Sequence, residues 1–176
     1  MTQYFLRTER LGFRAWTAED AELAMGLWGD AEVTKLIGGP FSRAQVMERL
    51  EREIANGKAH GIQYWAVFLL AGGEHIGCCG FRPYKPELKI HEHGFQFLPA
   101  HWGHGYATEA ARAAIGYAFK DLGAAGLFAG HHPSNDASRA LLGKLGFRCT
   151  GEGFYPPTGL IHPVYMLRAE EWRGKP

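Results

Sequence analysis

The stretch His101–Phe119, HWGHGYATEAARAAIGYAF, constrains this chain more than any other, because Gly103 and Gly105 stand one residue apart and run directly into an alanine-rich helical pattern. Glycines at a helix entrance either let helix and sheet pack closely or turn consecutive backbone N–H groups, with the positive end of the helix dipole, toward an anion. The functional side of that alternative is a phosphate-binding turn. Two common nucleotide loops are excluded by the neighbouring residues. A Walker loop requires Gly-Lys-Ser/Thr at the helix start, where this chain has Gly105, Tyr106 and Ala107, so the lysine and the magnesium-binding hydroxyl are missing. A dinucleotide fingerprint requires a third glycine where Thr108 stands, and no acid ends the following strand to hold a ribose.

Periodicity supplies the frame around this turn. Alternation from Phe5 through Leu11 and Phe13 predicts a first strand, and Thr17 followed by acids and then Gly29 predicts a helix. Val46, Leu50 and Ile54 recur at steps of four between Ser42 and Gly57, which predicts a second amphipathic helix. Two strands joined at AGGE form a hairpin, and IHEHGFQFLP is a further strand, with His91, His93, Phe95 and Phe97 on one face and Glu92 on the other. After the helix from about Tyr106 to Leu122 come a short strand LFAGHH, a helix capped by Ser134 or Asn135 and stopped by Gly146, and two last strands. The order predicts an α/β (α+β mixed) fold, a mixed, mostly antiparallel sheet with helices packed on it. With 176 residues and no linker-like segment, residues 1–176 are expected to form a single domain.

Composition narrows the function. Nineteen Lys and Arg against eighteen Asp and Glu give a net charge of +1, without the basic surplus of a general nucleic-acid binder. No apolar run approaches the roughly 18 residues of a membrane span, and the N-terminus lacks a signal-peptide core, so a cytoplasmic protein with no membrane partner is expected. Three cysteines, Cys78, Cys79 and Cys149, have no metal-ligand spacing and are expected as small buried residues. The nine histidines, including His91-x-His93 and His131-His132, lack the acids or cysteines that would complete a tetrahedral set, so no metal is expected.

What remains is a loop whose amides wrap a pyrophosphate without lysine or metal. HWGHGYATEAARAAIGYAF resembles the acetyl-CoA signature of the GNAT superfamily of N-acetyltransferases, and SNDASRALLGKLGF resembles its second signature, Asn-x-x-Ser followed by Lys-x-Gly-Phe. TERLGFRAWTAEDA is similar to the N-terminal strand and helix of the ribosomal-protein-alanine acetyltransferase-like branch. The matches run from Thr8 to Phe147 and agree with the element order read from periodicity.

The resemblance implies the GNAT fold: about seven strands, about four helices, and a splayed strand pair that holds acetyl-CoA as co-substrate. It puts the pyrophosphate on the amides from about Trp102 through Gly103, His104, Gly105 and Tyr106 to Ala107, although Ala100 replaces the usual Gln/Arg that opens the motif. It puts the pantetheine arm along Phe95, Gln96, Phe97 and Leu98, where a backbone N–H stabilises the developing oxyanion, a contribution of about 3–4 kcal/mol. Ala107, Ala111, Ala114 and Ala118 form a small-residue stripe that lets the following helix lie close to the sheet. Glu92 matches the acid of this branch and is the candidate base, acting through a water. The family's tyrosine acid is replaced by Leu142, so Ser138, one turn after Asn135, is the candidate acid for the CoA thiolate. Asn135 is available either to bond the pantetheine amides or to cap its helix. Trp28, Tyr64, Trp65 and Tyr84 are candidates for an acceptor pocket or for core packing.

The expected reaction is direct attack by a primary amine in a ternary complex. Deprotonating a lysine costs about 4.6 kcal/mol at pH 7 and an α-amine about 1.4 kcal/mol, which favours a protein or peptide N-terminal α-amine. A non-catalytic acyl-CoA sensor and a small-molecule acetyltransferase acting on an antibiotic or polyamine are the alternatives. The last hairpin offers edge strands for a homodimer.

Overall fold

The computed structural model describes residues 3–172. The alternating N-terminal segment folds as a hairpin, β1 (Leu6–Arg7) and β2 (Leu11–Arg14), where the sequence predicts one strand. Thr8 closes the turn by accepting the Leu11 N–H on its hydroxyl, and its own N–H donates to the Leu11 carbonyl. A 3-10 turn, Ala18–Asp20, leads into α1 (Ala21–Trp28), which ends at Gly29, and a short α2 (Ala31–Thr34) follows, capped by the Asp30 carboxylate. Helix α3 (Arg43–His60) starts on a capping box at Ser42 and runs one turn past Gly57, where the sequence predicts its end, to stop at the left-handed Gly61. Gly57 is instead a close approach: a Cβ there would overlap the Gln63 side-chain amide.

Strands β3 (Tyr64–Leu69) and β4 (His75–Lys85) form the predicted hairpin, and β5 (Ile90–Phe97) pairs antiparallel with β4. Helix α4 (Tyr106–Lys120), β6 (Gly126–Gly130), α5 (Asp136–Lys144), β7 (Arg148–Tyr155) and β8 (Leu160–Arg168) complete the chain. All eight strands lie in one sheet of order β1-β2-β3-β4-β5-β6-β8-β7, antiparallel except for β5 and β6. This is the expected mixed architecture, with one strand more than seven because of the N-terminal hairpin. Of the last hairpin only β7 is an edge, since β8 is inserted between β6 and β7.

Alternation along the strands sends residues to two separate cores. Leu11, Phe13, Trp65, Val67, Cys79, Phe81 and Phe97 pack on one face beneath α4 and α5. Tyr64, Ala66, Phe68 and Cys78 pack on the other with α1 and α3. The alanine stripe works as expected: Ala111, Ala114 and Ala118 are fully buried, and Ala107 is partly so. Leu142, where the family's tyrosine would stand, is buried in the α4/α5 core. Cys78 and Cys79 are buried, whereas Cys149 is exposed on the edge strand β7, contrary to expectation, because β7 presents nearly all its length to solvent.

Candidate active site

The two glycines before α4 are both left-handed, Gly103 at φ 79° and Gly105 at φ 80°. A side chain is strained in that region, and no protein atom occupies the space where a Cβ would stand at Gly103. The turn therefore needs glycine for its backbone path rather than for helix packing. Among the described residues, the N–H groups of Gly103, His104, Gly105, Tyr106, Ala107 and Thr108 meet no protein acceptor, and α4 begins at Gly105 with no side-chain cap. Six successive donors at the positive end of a 15-residue helix make an anion-binding concavity suited to a pyrophosphate. Trp102 stands outside this set, since its N–H is spent on the Pro99 carbonyl and its indole N–H on the Phe97 carbonyl at 2.7 Å.

Beside this turn the sheet opens. Strands β5 and β6 are paired only from Ile90 to Glu92 against Gly126 to Phe128, so β5 continues to Phe97 with its far edge free. Hydrogen bonding on the other edge tells which groups face the gap. The Leu98 N–H donates to the Ile76 carbonyl, which makes Phe97 opposite Gly77 a non-hydrogen-bonded pair. The N–H groups of Phe97 and, two residues earlier, Phe95 thus point away from β4 into the gap. Leu98 has both backbone groups engaged, its carbonyl accepting from the His101 N–H, so only its side chain is available to a ligand.

The turn is held by residues that the sequence reading missed. The Glu109 carboxylate, in the first turn of α4, accepts from the Thr8 hydroxyl at 2.5 Å, the Arg10 N–H at 3.0 Å and the Arg10 Nε at 2.6 Å. Arg10 also donates to the His104 carbonyl at 3.1 Å and lies over the Tyr106 ring at 4.5 Å. Burial acts to raise the Glu109 pKa, but the Thr8 and Arg10 hydrogen bonds and the Arg10 charge hold the carboxyl below its usual range. One tether thus fixes both the helix start and the carbonyl between the two glycines. Its partners are about a hundred residues apart in sequence, and no linear motif joins them.

A polar cluster occupies the opposite face of β4 and β5. Glu92 on β5 lies in register with Arg82 on β4, and the Tyr64 hydroxyl stands 3.4 Å from its Oε1. Gly94 is required there, because a Cβ would collide with the Tyr64 phenol. Burial pushes the Glu92 carboxyl up, and the opposing pull of the Arg82 charge and the Tyr64 hydroxyl does not cancel it. Burial and the Glu92 charge likewise push the Tyr64 phenol up. Arg82 pairs with the fully buried Glu53 of α3, whose other oxygen accepts the Tyr64 N–H at 2.9 Å. Arg49, also on α3, donates to Gln96 Oε1 at 2.9 Å, and the Trp28 indole N–H and the Cys78 thiol converge on the same oxygen at 3.3 and 3.2 Å.

A sequence signal for α3 existed: Val46, Arg49, Leu50 and Glu53 follow the i, i+3, i+4, i+7 pattern of a buried stripe with two charges inside it. Of the aromatic candidates, Trp28 and Tyr64 join this cluster, Trp65 packs under α4, and Tyr84 is exposed and stacked on Phe128 at 4.2 Å.

At the start of α5 the Asn135 Oδ1 accepts the Ser138 N–H at 3.0 Å, a helix cap. The capping oxygen is thereby occupied and the amide nitrogen of Asn135 is left over. Asn135 and Ser138 lie beyond the C-terminal end of β6, the strand that bounds the gap. Among the described residues no group of His, Cys, Asp or Glu is arranged for a metal, and His93, one of the paired histidines, has its Nδ1 at 3.1 Å from the Gly80 carbonyl.

An amide-lined turn, a half-unpaired strand and a half-buried carboxylate on the far face are compatible with an acyl-CoA substrate and an incoming amine. Comparison with known proteins agrees. The family model described as the acetyltransferase (GNAT) domain matches residues 10–148. The chain is 33% identical to an uncharacterized N-acetyltransferase, p20, of Bacillus licheniformis, over 96% of this chain and 98% of that one. It is 31% identical to the FsC-acetyl coenzyme A-N(2)-transacetylase of Aspergillus fumigatus, over 95% and 77% of the two chains. The crystal structure of a GNAT-family acetyltransferase from Bacillus anthracis superposes with a TM-score of 0.81 at 25% identity, covering 94% of this chain and 99% of that one. A family model over most of the chain and a relative that it matches from end to end place it together with this fold, and the chain belongs to the GNAT family of acetyl-CoA-dependent N-acetyltransferases.

Proposed function

We propose that the chain is a single catalytic domain acting in the cytoplasm, and that it transfers the acetyl group of acetyl-CoA directly to an α-amine. The observation that carries this reading is the run of unpartnered N–H groups from Gly103 to Thr108 beside the unpaired edge of β5. Gly103, His104, Gly105, Tyr106 and Ala107 hold the pyrophosphate through backbone N–H groups, with Trp102 flanking the turn. The Phe95 and Phe97 N–H groups meet the pantetheine arm and the thioester carbonyl, and Leu98 contributes its side chain. The thioester supplies the acetyl group; the chain's residues orient it, receive a proton and return one.

Glu92 takes the proton of the incoming ammonium through a water, since burial keeps its carboxyl a stronger base than usual. Ser138 donates to the departing thiolate, a mild demand for a thiol of pKa ~8.5. Asn135, with its amide nitrogen free, bonds the pantetheine. An α-amine remains the favoured acceptor on the cost of deprotonation, and the similarity of the N-terminal segment to the ribosomal-protein-alanine branch points to a peptide N-terminus. The A. fumigatus relative, named for transfer to an N(2) position, points to a small-molecule amine instead.

Calorimetric titration with acetyl-CoA, together with thiol detection over an amine panel, tests the reading. Binding with CoA release is expected from the native protein. Gly105→Glu, which puts a side chain at φ 80° and a negative charge into the turn, is expected to abolish binding in a protein that still folds. Undiminished binding by that variant would remove the turn from the site.

A further inference from the structure

Arg49 is a buried cation that the Glu53 and Glu92 charges reach only from beyond contact distance. The residue is 8% exposed, and no carboxylate lies within ion-pair distance of it among the described residues. Of the five N–H donors of a guanidinium, one is engaged, with Gln96 Oε1, an uncharged oxygen already shared with Trp28 and Cys78. The Arg49 Nε is buried with no partner, and the guanidinium rests on the Trp28 ring at 4.6 Å. Neither neighbouring acid contacts it: both oxygens of Glu53 are taken by Arg82 and the Tyr64 N–H, and the one hydrogen-bond partner of Glu92 among the described residues is the Tyr64 hydroxyl. A buried charge is retained when something neutralises it, and a planar fork of donors fits a carboxylate.

Position gives that partner a role. Gln96 lies on β5 next to Phe97, whose N–H faces the gap, and its side chain points to the α1/α3 face, opposite α4. Glu92, four residues earlier on β5, projects to the same face, so Arg49 and the candidate base lie on one side of the sheet.

We infer that Arg49 binds a carboxylate of the acceptor, so that the substrate is an amine carrying a carboxylate a few bonds away, an amino acid or a compound built on one. This rests on the acetyltransferase reading above and selects within it. The Nη donors of Arg49 that Gln96 does not hold pair with the carboxylate while the adjacent amine meets Glu92.

The test uses the full chain and two kinds of matched acceptor: free amino acids against their carboxamides, and peptides beginning with Asp or Glu against peptides beginning with Asn or Gln. CoA release is expected to be at least ten-fold more efficient for the acid member of a pair. The free amino acid series locates the carboxylate on the α-carbon, and the peptide series locates it on a side chain. Arg49→Gln is expected to erase the preference by raising KM for the acid at least ten-fold while leaving KM for the amide within two-fold, with Arg49→Lys between them. Equal use of acid and amide, use of neither, or a loss in Arg49→Gln that falls alike on both, overturns the inference. Acetyl-CoA titration of each variant separates the two readings. Failure to bind acetyl-CoA in the native protein sinks the acetyltransferase assignment, whereas intact binding without an Arg49-dependent acid preference sinks the carboxylate site alone.

Discussion

Glu92 is one carboxylate whose placement and chemistry come from different sources. Its place before the glycine turn was legible in the linear sequence; its raised pKa was not, because that comes from burial in the folded chain, which outweighs the opposing pull of Arg82 and Tyr64 on other strands. A base must be unprotonated to act, so activity is lost as pH falls through its pKa, and a raised pKa moves that loss above the ordinary carboxylate value. Turnover at saturating acceptor is therefore expected to fall on the acid side above pH 4.5, the usual glutamate value. Glu92→Gln should lower kcat by about a hundred-fold and flatten this limb, at nearly unchanged affinity for acetyl-CoA. An identical pH–rate profile in the variant would reject Glu92 as the base. Ser138→Ala should slow turnover by less, about ten-fold, since the thiolate needs little help to leave. Arg49 was passed over although its spacing with Val46, Leu50 and Glu53 carried a signal, because a charged residue on a helix reads as solvated surface until its stripe is seen to be the buried one.

At the scale of elements, helix α4 supplies the donors and the β1–β2 hairpin holds them in place. The glycines and the alanines of α4 are local signals, set by backbone conformation and by the helical repeat, and both were read in advance. The tether from Thr8 and Arg10 to Glu109 joins the turn between β1 and β2 to the first turn of α4, and only folding brings it together. Removing it should leave the helix formed but let the turn fray. Glu109→Gln or Thr8→Val is expected to raise KM for acetyl-CoA by about three- to ten-fold with kcat within two-fold, read by initial-rate kinetics, since lost pre-organisation is a cost of binding. An unchanged KM would show that the amides hold their places without the hairpin. The hairpin itself escaped prediction because its turn, Thr8-Glu9-Arg10, carries no glycine, proline or asparagine and is closed by a threonine side chain instead.

For the whole molecule, the two cores on either side of one sheet set how stability depends on pH. His93 and His75 are buried, and burial lowers each pKa to about 4. Neutral in the fold and protonated in the unfolded chain below about 6.5, both favour unfolding as pH falls from 6.5 toward 4. Stability to denaturant is expected to be full above pH 7 and to drop by a few kcal/mol by pH 5. His93→Phe should shed about half of the slope whatever it does to the absolute value; an unaltered slope would assign the pH dependence to other groups. By itself the sequence determined what is local: strands and helices by their periods, the glycine turn by its conformational demand, and the family by two motifs whose residues lie close together along the chain. The tertiary structure alone decided what depends on elements meeting, namely the inserted order β6-β8-β7, the opening of β5 from β6, the anchoring of Glu109 and the burial of Arg49 against an uncharged oxygen. The physical reason is that a period or a motif acts over a few residues, whereas burial, register and charge balance are sums over neighbours that the chain acquires only when it closes on itself.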